Sequence, residues 1–523
     1  MANYVIVGAG LGGLYVANRL INKGISPNNI RIIEKRPNNH YTRPGHLNQS
    51  IFNLVTENTQ IETPHSPAYH IKELERVMYN HLHSLHVRFI EEEFFGLQAK
   101  TDHQPKAVIT RKGDVYQCVY PADYVFDCSG KKASVAQAVN DYQQSIGSMP
   151  AFESKSLVDI NPIRHHLLAH VVIPDNSSLI DFMDERQSEP IPAHIQRSSL
   201  KKNIELREKL KALGWTYEAF PTFYSLNGVG DKVCLYMETP PDLTQDKQPG
   251  WIRLLLDIYS DGKIQEYTEL KPSKKYQTKP RIIGFESVPY VLNKAIHKSV
   301  NLPTVLIGFD ALKGFDYRSA NGFESGVECF EHMLRHIRFT DGDIQAINSE
   351  DAELIIFRYI NYRYKYRIAS ALGARQKAIE NAFASFSEIY EKAAATTIFD
   401  AEKRQDYQIT AGELAYQAVI MQFNRLKTRE QNTIESLEVL NKYLSVLIRA
   451  QNTMPCSKTN EHDDVNSKLL SVIDTIQTEV SAVNTKQILN HSSHNNGKLY
   501  TLFAGIKQNY LKLEDNYTKF SPK

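Results

Sequence analysis

The chain has 523 residues, of which 42% are hydrophobic and 23% charged, a composition typical of a globular protein with several domains. Its formal net charge of +2 predicts no general affinity for nucleic acid or for an anionic membrane surface. The five cysteines are scattered without a C-x-x-C pair, so we expect neither a metal site nor a disulfide framework.

An apolar run begins at Tyr4, which leaves no room for a signal peptide, and no run approaches the ~18 apolar residues of a membrane span. These features predict a cytoplasmic protein without a membrane span. A protein delivered into the cytosol of another cell would share them.

The sequence opens with a strand, a glycine-rich turn and a helix. The apolar run Tyr4–Val7 leads into the pattern G-x-G-x-x-G, whose glycines are Gly8, Gly10 and Gly13. Gly8 allows a tight turn, Gly10 lets a pyrophosphate approach the backbone, and Gly13 lets the helix pack close to the sheet. Because a helix N-terminus favours negative charge, this turn, together with Leu11, predicts a pyrophosphate site.

A second apolar run and an acid complete this unit. Residues 14–20 have helical spacing, and the run Ile30–Ile33 ends at Glu34, at the right distance to bind the two hydroxyls of an adenosine ribose. A carboxylate at this position disfavours a 2′-phosphate, so the tightly bound cofactor is predicted to be FAD or NAD rather than NADP. The alternative is an ordinary glycine turn in an α/β domain.

Two later strands also end in small or polar residues. A buried run over residues 122–128 leads into a small-residue turn, and the run Thr304–Ile307 leads into an acid, a second small-residue turn and a predicted helix over residues 324–337. These features predict a second polar surface for an extended ligand, which an NAD fold does not need. Its predicted cofactor-binding residues are Ser129, Gly130, Asp310, Gly322 and Phe323.

Over roughly residues 1–367, these motifs resemble the class A flavoprotein monooxygenases, the aromatic-hydroxylase-like family. In that family a late Asp binds the ribityl or pyrophosphate region of FAD, and a glycine a dozen residues on approaches the flavin ring. Asp310 and Gly322 have that spacing, and Tyr359 and Arg363 resemble a Y-x-x-x-R element of the helix that follows. The resemblance implies bound FAD and, because no second G-x-G-x-x-G exists, an NAD(P)H that visits the flavin transiently.

Within the family, residues 34–36 followed by 41–43 are most similar to the MICAL-type monooxygenases, as are residues 310–312. The family places an arginine of this loop near the flavin. Tyr41 and His46 lie in the same loop and face either the active site or ordinary surroundings. The resemblance adds three basic residues to the predicted cofactor-binding set, namely Lys35, Arg36 and Arg43.

Several positions depart from the family pattern. Phe309 stands where the family has the glycine before the late Asp, and Arg318 and Ser319 replace the proline and first glycine of the flavin loop. Glu324 replaces an asparagine, and Ser129 replaces the Asp of a D-G motif. FAD binding should survive these changes, because much of it uses backbone N–H groups. We expect the same changes to affect oxygen activation and the reduction of the flavin by NAD(P)H more strongly.

The predicted fold class is α/β: a Rossmann-like FAD-binding domain with an inserted β-sheet substrate domain, plus a C-terminal all-helical domain. The FAD-binding domain is predicted to consist of residues 1–140 and 285–367. Residues 141–284 are predicted to form the substrate domain, and residues 368–523 the helical domain.

Inside the insert, residues 166–174, 230–238 and 251–258 are predicted strands, and residues 203–213 a helix. The polar stretch 175–199 is predicted to be a long loop or lid. One group of aromatic residues lines either a substrate cavity or the plain core, and consists of Tyr217, Phe220, Phe223 and Tyr224.

After residue 367 the sequence is rich in helix-forming residues. A capping box is predicted at residues 410–413, and we expect the helical domain to present a surface to a partner protein. The alternation of tyrosine with basic residues over 362–367 favours a packed helix over nucleic-acid binding. The predicted helices cover residues 369–394, 413–427, 433–450, 466–482 and 499–513.

The leading functional hypothesis is a FAD-dependent monooxygenase that uses NAD(P)H and O₂ to oxidise an unknown substrate, either a small aromatic ring or a protein side chain such as methionine. A FAD-stabilised, non-catalytic scaffold that binds a partner through the helical domain is the main alternative. A flavin reductase or dehydrogenase acting on a lipid-like substrate is the third. The sequence assigns no side chain as catalytic acid or base.

Overall fold

The computed structural model describes residues 1–36, 47–63, 70–113, 116–159, 163–176, 179, 191–227, 230–270, 282–316, 322–428 and 508. The predicted site residues Arg43, Tyr41 and His46 lie outside these ranges. So do Arg318, Ser319 and, apart from residue 508, the predicted helices beyond residue 432.

The strands are β1 (Tyr4–Val7), β2 (Ile30–Ile33), β3 (Arg88–Ile90), β4 (Glu93–Gln98), β5 (Ala107–Lys112), β6 (Tyr116–Pro121), β7 (Tyr124–Asp127), β8 (Ser154–Ser156), β9 (His165–Val172), β10 (Phe223–Asn227), β11 (Lys232–Glu238), β12 (Thr268–Glu269), β13 (Ile282–Glu286), β14 (Tyr290–Leu292), β15 (Ile296–His297), β16 (Thr304–Ile307), β17 (Ile337–Thr340) and β18 (Asp343–Ile347). The α-helices are α1 (Leu11–Asn22), α2 (Gln49–Thr59), α3 (Ile71–Ser84), α4 (Ser134–Ser145), α5 (Ala193–Gln196), α6 (Leu200–Ala212), α7 (Gln248–Tyr259), α8 (Gly322–Arg335), α9 (Ser349–Tyr359), α10 (Lys365–Thr396) and α11 (Ala401–Thr428).

The main sheet has six strands in the order β15-β16-β7-β1-β2-β3. All neighbours are parallel except β15, which runs antiparallel to β16 at the edge. Val5, Val125 and Val305 lie side by side in this sheet and are fully buried. The predicted apolar runs therefore form the core of a parallel sheet, in which strands are apolar on both faces.

Helix α1 follows β1 directly and packs against α2, α3 and α8. Its Arg19 pairs with Glu331 of α8 at 2.6 Å, and Tyr15 donates a hydrogen bond to the same carboxylate at 2.7 Å. These contacts fix α8 beside α1.

The smaller sheets have the orders β4-β5-β6 and β10-β11-β9-β12, with β13 paired to β9 in the latter; β14 pairs with β8 and β17 with β18. Strands β9 and β11, helix α6 and helix α8 coincide closely with the predicted elements. No helix in the described part of the chain is long and apolar enough to cross a membrane.

The chain divides into two compact units. The first comprises Met1–Val172, Leu226–Tyr236 and Glu269–Gly373, and the second Ile173–Ser225, Met237–Thr268 and Ala374–Lys523. This division groups most of α10 and all of α11 with part of the predicted substrate domain. A separate helical domain over 368–523 stays a prediction, since residues 429–507 and 509–523 lie outside the description.

One predicted strand, residues 251–258, is wrong: these residues belong to helix α7. Its buried residues Trp251, Leu255 and Tyr259 recur every four positions, which is helical spacing, and Pro249 lies in the first turn, where proline is tolerated. The run of branched and aromatic residues misled the prediction, because a short apolar run does not distinguish a strand from a buried helix.

The predicted capping box at residues 410–413 is also wrong, because it lies in the middle of α11. The helix begins nine residues earlier, where the Asp400 side chain accepts a hydrogen bond from the Lys403 amide at 2.9 Å. Asp400 therefore caps the helix N-terminus.

A buried ion pair joins α10 to the end of strand β11 within the second unit. Nη2 of Arg375 lies 2.6 Å from Oε2 of Glu238 and also donates to the Phe220 carbonyl at 2.8 Å, and both charged side chains are at most 1% exposed. The amide of Thr222 donates to the same carboxylate at 2.8 Å. Helix α10 thus supplies the cation that pairs with this carboxylate.

A second cluster joins α10 to helix α6 within the second unit. The guanidinium of Arg207 on α6 pairs with Glu218 at 2.5 Å and donates to the Tyr390 hydroxyl on α10 at 3.0 Å. It also lies 5.5 Å from the ring centroid of Phe386. The buried face of helix α10 therefore packs against other residues of the second unit.

We expect Arg375→Met to lower the free energy of unfolding by about 3–5 kcal/mol, because it removes the guanidinium that pairs with the buried Glu238 carboxylate. Urea unfolding measures the loss. Lys377→Met removes an exposed cation from the same helix and should change stability by less than about 0.5 kcal/mol. Equal stability of the two variants would contradict the role of the ion pair.

Candidate functional site at the ends of the parallel strands

Four strands of the main sheet end in one row. Val7 lies beside Ile33 on one side and Asp127 on the other, and Asp127 lies beside Ile307. The backbone ladder continues one step further, with the Gly8 amide donating to the Ile33 carbonyl at 2.8 Å. The loops after β2, β1, β7 and β16 therefore leave from the same edge, where ligands of such sheets bind.

The glycine turn depends on backbone atoms that touch each other. Gly8 has φ +103°, and a Cβ added there would lie 2.4 Å from the Cys128 carbonyl oxygen. A Cβ on Gly13 would lie 1.8 Å from the Gly8 carbonyl oxygen. Both glycines are thus required for the turn itself, whatever it binds.

Helix α1 begins at this turn with its N-terminus free for a ligand. Gly10 is the N-cap, with φ −79° and ψ −177°, and Leu11 is the buried first helical residue. Within the described residues, no side chain caps this terminus, and its first turn holds no acid. The first amide groups therefore suit an anionic ligand such as a phosphate.

Glu34 follows β2, one strand away from the glycine turn, and its carboxylate is already engaged. Oε2 accepts from the Ala9 amide at 3.0 Å and from Nη2 of Arg36 at 2.7 Å, and Oε1 accepts from Nε of Arg36 at 3.0 Å and its amide at 3.1 Å. These four donors fill the acceptor positions of a carboxylate. Burial raises the pKa of Glu34, but the contacts with Arg36 and Ala9 outweigh it and hold the pKa below its usual value.

Lys35, which lies between Glu34 and Arg36, contacts a different residue. Nζ of Lys35 lies 3.3 Å from Glu93, and both side chains are about half exposed. A cofactor contact from Lys35 stays a prediction that this orientation does not favour.

Asp127 organises the loop after β7, a role that the sequence reading missed. Its Oδ1 accepts from the amide and hydroxyl of Ser129 at 3.0 and 2.6 Å, and its Oδ2 accepts from the amides of Val135 and Ala136 at 2.9 and 3.1 Å. Burial raises the pKa of this carboxyl, and the hydrogen bonds offset part of the rise. Ser129 and Gly130, which has φ +77°, are held in place by this acid.

Phe309 keeps the backbone conformation that a glycine would favour. Its φ is +56°, in the left-handed region that a bulky residue rarely adopts. The ring fills space left by two other glycines, because a Cβ on Gly12 would lie 2.6 Å from it and one on Gly326 would lie 2.5 Å from it. The ring also stacks on Phe323, with centroids 5.5 Å apart. Packing therefore stabilises the strained turn.

The turn that Phe309 holds presents Asp310. The Asp310 side chain is partly exposed. The backbone carbonyl of Asp310 accepts a hydrogen bond from the Tyr290 hydroxyl. Gly322 is the first residue of α8, where a Cβ would lie 2.9 Å from the Phe315 ring. The turn at Phe309–Ala311 contacts both α8 and the turn at Gly130–Lys132, so these predicted residues lie in one region of the first unit.

Other candidates make packing contacts within their own units. Phe220 stacks on Phe386 and Phe223 on Tyr259, and both are buried in the second unit, which favours the core alternative for these aromatics. The Tyr359 hydroxyl donates to Glu328 of α8. Within the described ranges, no cluster of histidine, cysteine and acidic residues could hold a metal ion.

No protein-family model matches the chain, and a comparison with curated proteins gives no match. Among solved structures, the chain is similar to aklavinone-11 hydroxylase in complex with FAD and aklavinone, with 15% identity and a TM-score of 0.39 over 64% of this chain and 62% of that one.

The chain is also similar to p-nitrophenol 4-monooxygenase of Pseudomonas putida (10% identity, TM-score 0.42, 75% and 98% covered). A flavoprotein/dehydrogenase of Cytophaga hutchinsonii is another such structure (11% identity, TM-score 0.44, 84% and 99% covered). These neighbours thus include a hydroxylase, a monooxygenase and a flavoprotein/dehydrogenase.

We expect Gly13→Ala to destabilise the first unit, because the new methyl group would overlap the Gly8 carbonyl and force the turn apart. Thermal unfolding monitored by circular dichroism measures the effect. Gly373→Ala is the matched control, since nothing lies within 4 Å of a Cβ there and alanine favours a helix interior. A Gly13→Ala protein as stable as this control would contradict the close contact between Gly13 and the Gly8 carbonyl.

Asp127→Asn should lower the free energy of unfolding by about 1–3 kcal/mol, because an amide offers one acceptor oxygen where the carboxylate uses two. Urea titration of the two proteins checks this. Ser129→Ala removes only one of the four donors and should cost less. An Asn variant with unchanged stability would contradict the organising role of Asp127.

Proposed function

We propose that this chain is a FAD-dependent oxidoreductase of the monooxygenase type. The single observation that carries the proposal is the N-terminus of α1, which no side chain of the described residues caps, in the row of strand ends, with a half-buried acid one strand away. A phosphate-binding turn and a ribose-binding acid in this order match the adenosine half of a dinucleotide. The loops after β7 and β16 add a surface that a longer ligand would use.

The residues present fit FAD with one rearrangement. The amides of Gly10, Leu11 and the next residues would hold the pyrophosphate, and Asp310 would contact the ribityl end. Glu34 would accept hydrogen bonds from the ribose hydroxyls only after Arg36 releases part of the carboxylate, since its acceptor positions are filled. The guanidinium N–H groups of Arg36 that leave Glu34 would then pair with the ligand's own phosphates.

The chemistry in this proposal belongs to the cofactor: bound FAD supplies hydride acceptance and reaction with O₂. The chain's own part is to bind and orient FAD and to exclude water. NADH or NADPH would visit transiently, since the sequence contains no second G-x-G-x-x-G. A small aromatic ring or a methionine side chain is the proposed substrate class.

Two of the sequence departures, at Phe309 and Ser129, are compatible with a working site. Phe309 retains the left-handed turn before Asp310, and Ser129 fixes the loop that a D-G motif would otherwise form. These observations weaken the reasons for a purely non-catalytic reading.

The purified protein incubated with FAD should bind one flavin and turn yellow, whereas FMN, which has no adenosine, should bind far more weakly. Gly10→Val should abolish FAD binding without unfolding the chain, because φ −79° is open to any residue while the side chain blocks the phosphate. Absorbance after gel filtration measures bound flavin. Full flavin occupancy in Gly10→Val would show that FAD binds at a different place in the chain.

Turnover separates the monooxygenase from a reductase. We expect NAD(P)H consumption to rise with a phenolic or methionine-containing substrate and to yield an oxygenated product only when O₂ is present. Repeated turnovers of NAD(P)H consumption under anaerobic conditions, with the substrate as the electron acceptor, would indicate a reductase instead. A flavin-loaded protein that oxidises no NAD(P)H would contradict the proposed activity while leaving FAD binding intact.

A further inference from the structure

A lysine lies buried beside the candidate site. Lys313, three residues after Asp310, is 1% exposed. Its Nζ donates a hydrogen bond to the Ser325 hydroxyl at 2.6 Å and lies 3.8 Å from the centroid of the Tyr364 ring. The ammonium is therefore enclosed between the turn after β16, the helix α8 and the chain that follows α9.

This cation differs from the other buried ones. Arg207 and Arg375 each pair with a buried glutamate, at 2.5 and 2.6 Å. Lys313 forms no ion pair with a carboxylate of the described residues; a hydroxyl and an aromatic face are its partners. Burial lowers the pKa of Lys313, and Cys329, Asp310 and Glu328 oppose that shift. A buried charge without a counterion is costly, so its retention calls for a purpose.

The aromatic partner is placed by an irregular piece of helix. Residues Ile360–Tyr364 form a π-helix between α9 and α10. It turns Tyr364 fully inward, between the exposed Arg363 and Lys365, and the Tyr364 hydroxyl donates to the Gly314 carbonyl at 3.0 Å. Such π-helical insertions are rare in proteins overall, but those that occur are often found at functional sites. Here the insertion puts an aromatic face against the ammonium, a contact that favours the charged form.

The ammonium adds to a positive charge that is already present. Ser325 lies in the first turn of α8, where the helix dipole is positive. The nearest acid of that turn, Glu324, is partly exposed and faces Arg367 at 3.7 Å. The start of α8, at Gly322, thus carries two positive contributions from the chain.

We propose that Lys313 is a positioning residue that fixes a positive charge behind the first turn of α8 and thereby favours the reduced flavin ring of bound FAD, which is negatively charged, over the oxidised ring, which is neutral. This inference rests on the proposed function and on the family resemblance, which implies that Gly322 approaches the flavin ring. A fixed charge near a flavin tunes its electronics without touching the substrate.

The test measures the reduction potential of the flavin in the holoprotein. Lys313→Met keeps the length of the side chain and removes the charge, and Lys313→Gln keeps a hydrogen bond to Ser325. In both variants the ratio of affinities for reduced and oxidised FAD should fall about tenfold, a potential about 30 mV lower. Lys23→Met removes an exposed charge at the far end of α1 and should leave the potential unchanged.

Each outcome decides the proposal. An unchanged potential in flavin-loaded Lys313→Met or Lys313→Gln overturns it, although FAD binding stands. If both variants lose FAD while the wild type keeps it, Lys313 serves the folding of the site, and the electrostatic role is overturned. If the wild-type protein binds no FAD, the proposed function fails first, and this inference fails with it.

Discussion

The close approach of backbone to backbone at the end of β1 is the constraint on which the rest of the site depends. The Gly8 position touches the Cys128 carbonyl, and the Gly13 position touches the Gly8 carbonyl, at distances that no side chain tolerates. Because these atoms meet, α1 starts directly at the strand edge with its amide groups facing the loops of β2, β7 and β16. A bulkier turn would move the helix away and leave the row of strand ends without an anion site.

The far side of the site is held by different means. Asp127 gathers four donors into one buried carboxylate, which fixes the loop beside the glycine turn. Phe309 holds a strained turn by filling space that Gly12 and Gly326 leave open. Small residues on two helices thus compensate for a large residue on the turn between them. This arrangement explains how the chain departs from the family pattern at Phe309 while it keeps the backbone that presents Asp310.

Local patterns predicted the four parallel strands β1, β2, β7 and β16, the glycine turn and the position of Glu34 after β2, because an apolar run, glycine spacing and a terminal acid are properties of contiguous residues. Non-local contacts were beyond reach. Helix α7 resembles a strand over eight residues and becomes recognisable only through the burial of Trp251, Leu255 and Tyr259. Arg375 and Glu238 lie 137 positions apart, and nothing near either one indicates the other. The π-helix that places Tyr364 over Lys313 leaves no signal in hydrophobic spacing.

The central claim is that the row of strand ends binds FAD, and a crystal structure of the FAD complex tests it most directly. The account predicts the pyrophosphate against the amides of Gly10 and Leu11, and the adenosine ribose hydroxyls on the Glu34 carboxylate. Arg36 should be displaced from at least one of the oxygens that it now occupies. Adenosine found elsewhere in the chain, or an intact Arg36–Glu34 pair with the ribose touching neither residue, would contradict it.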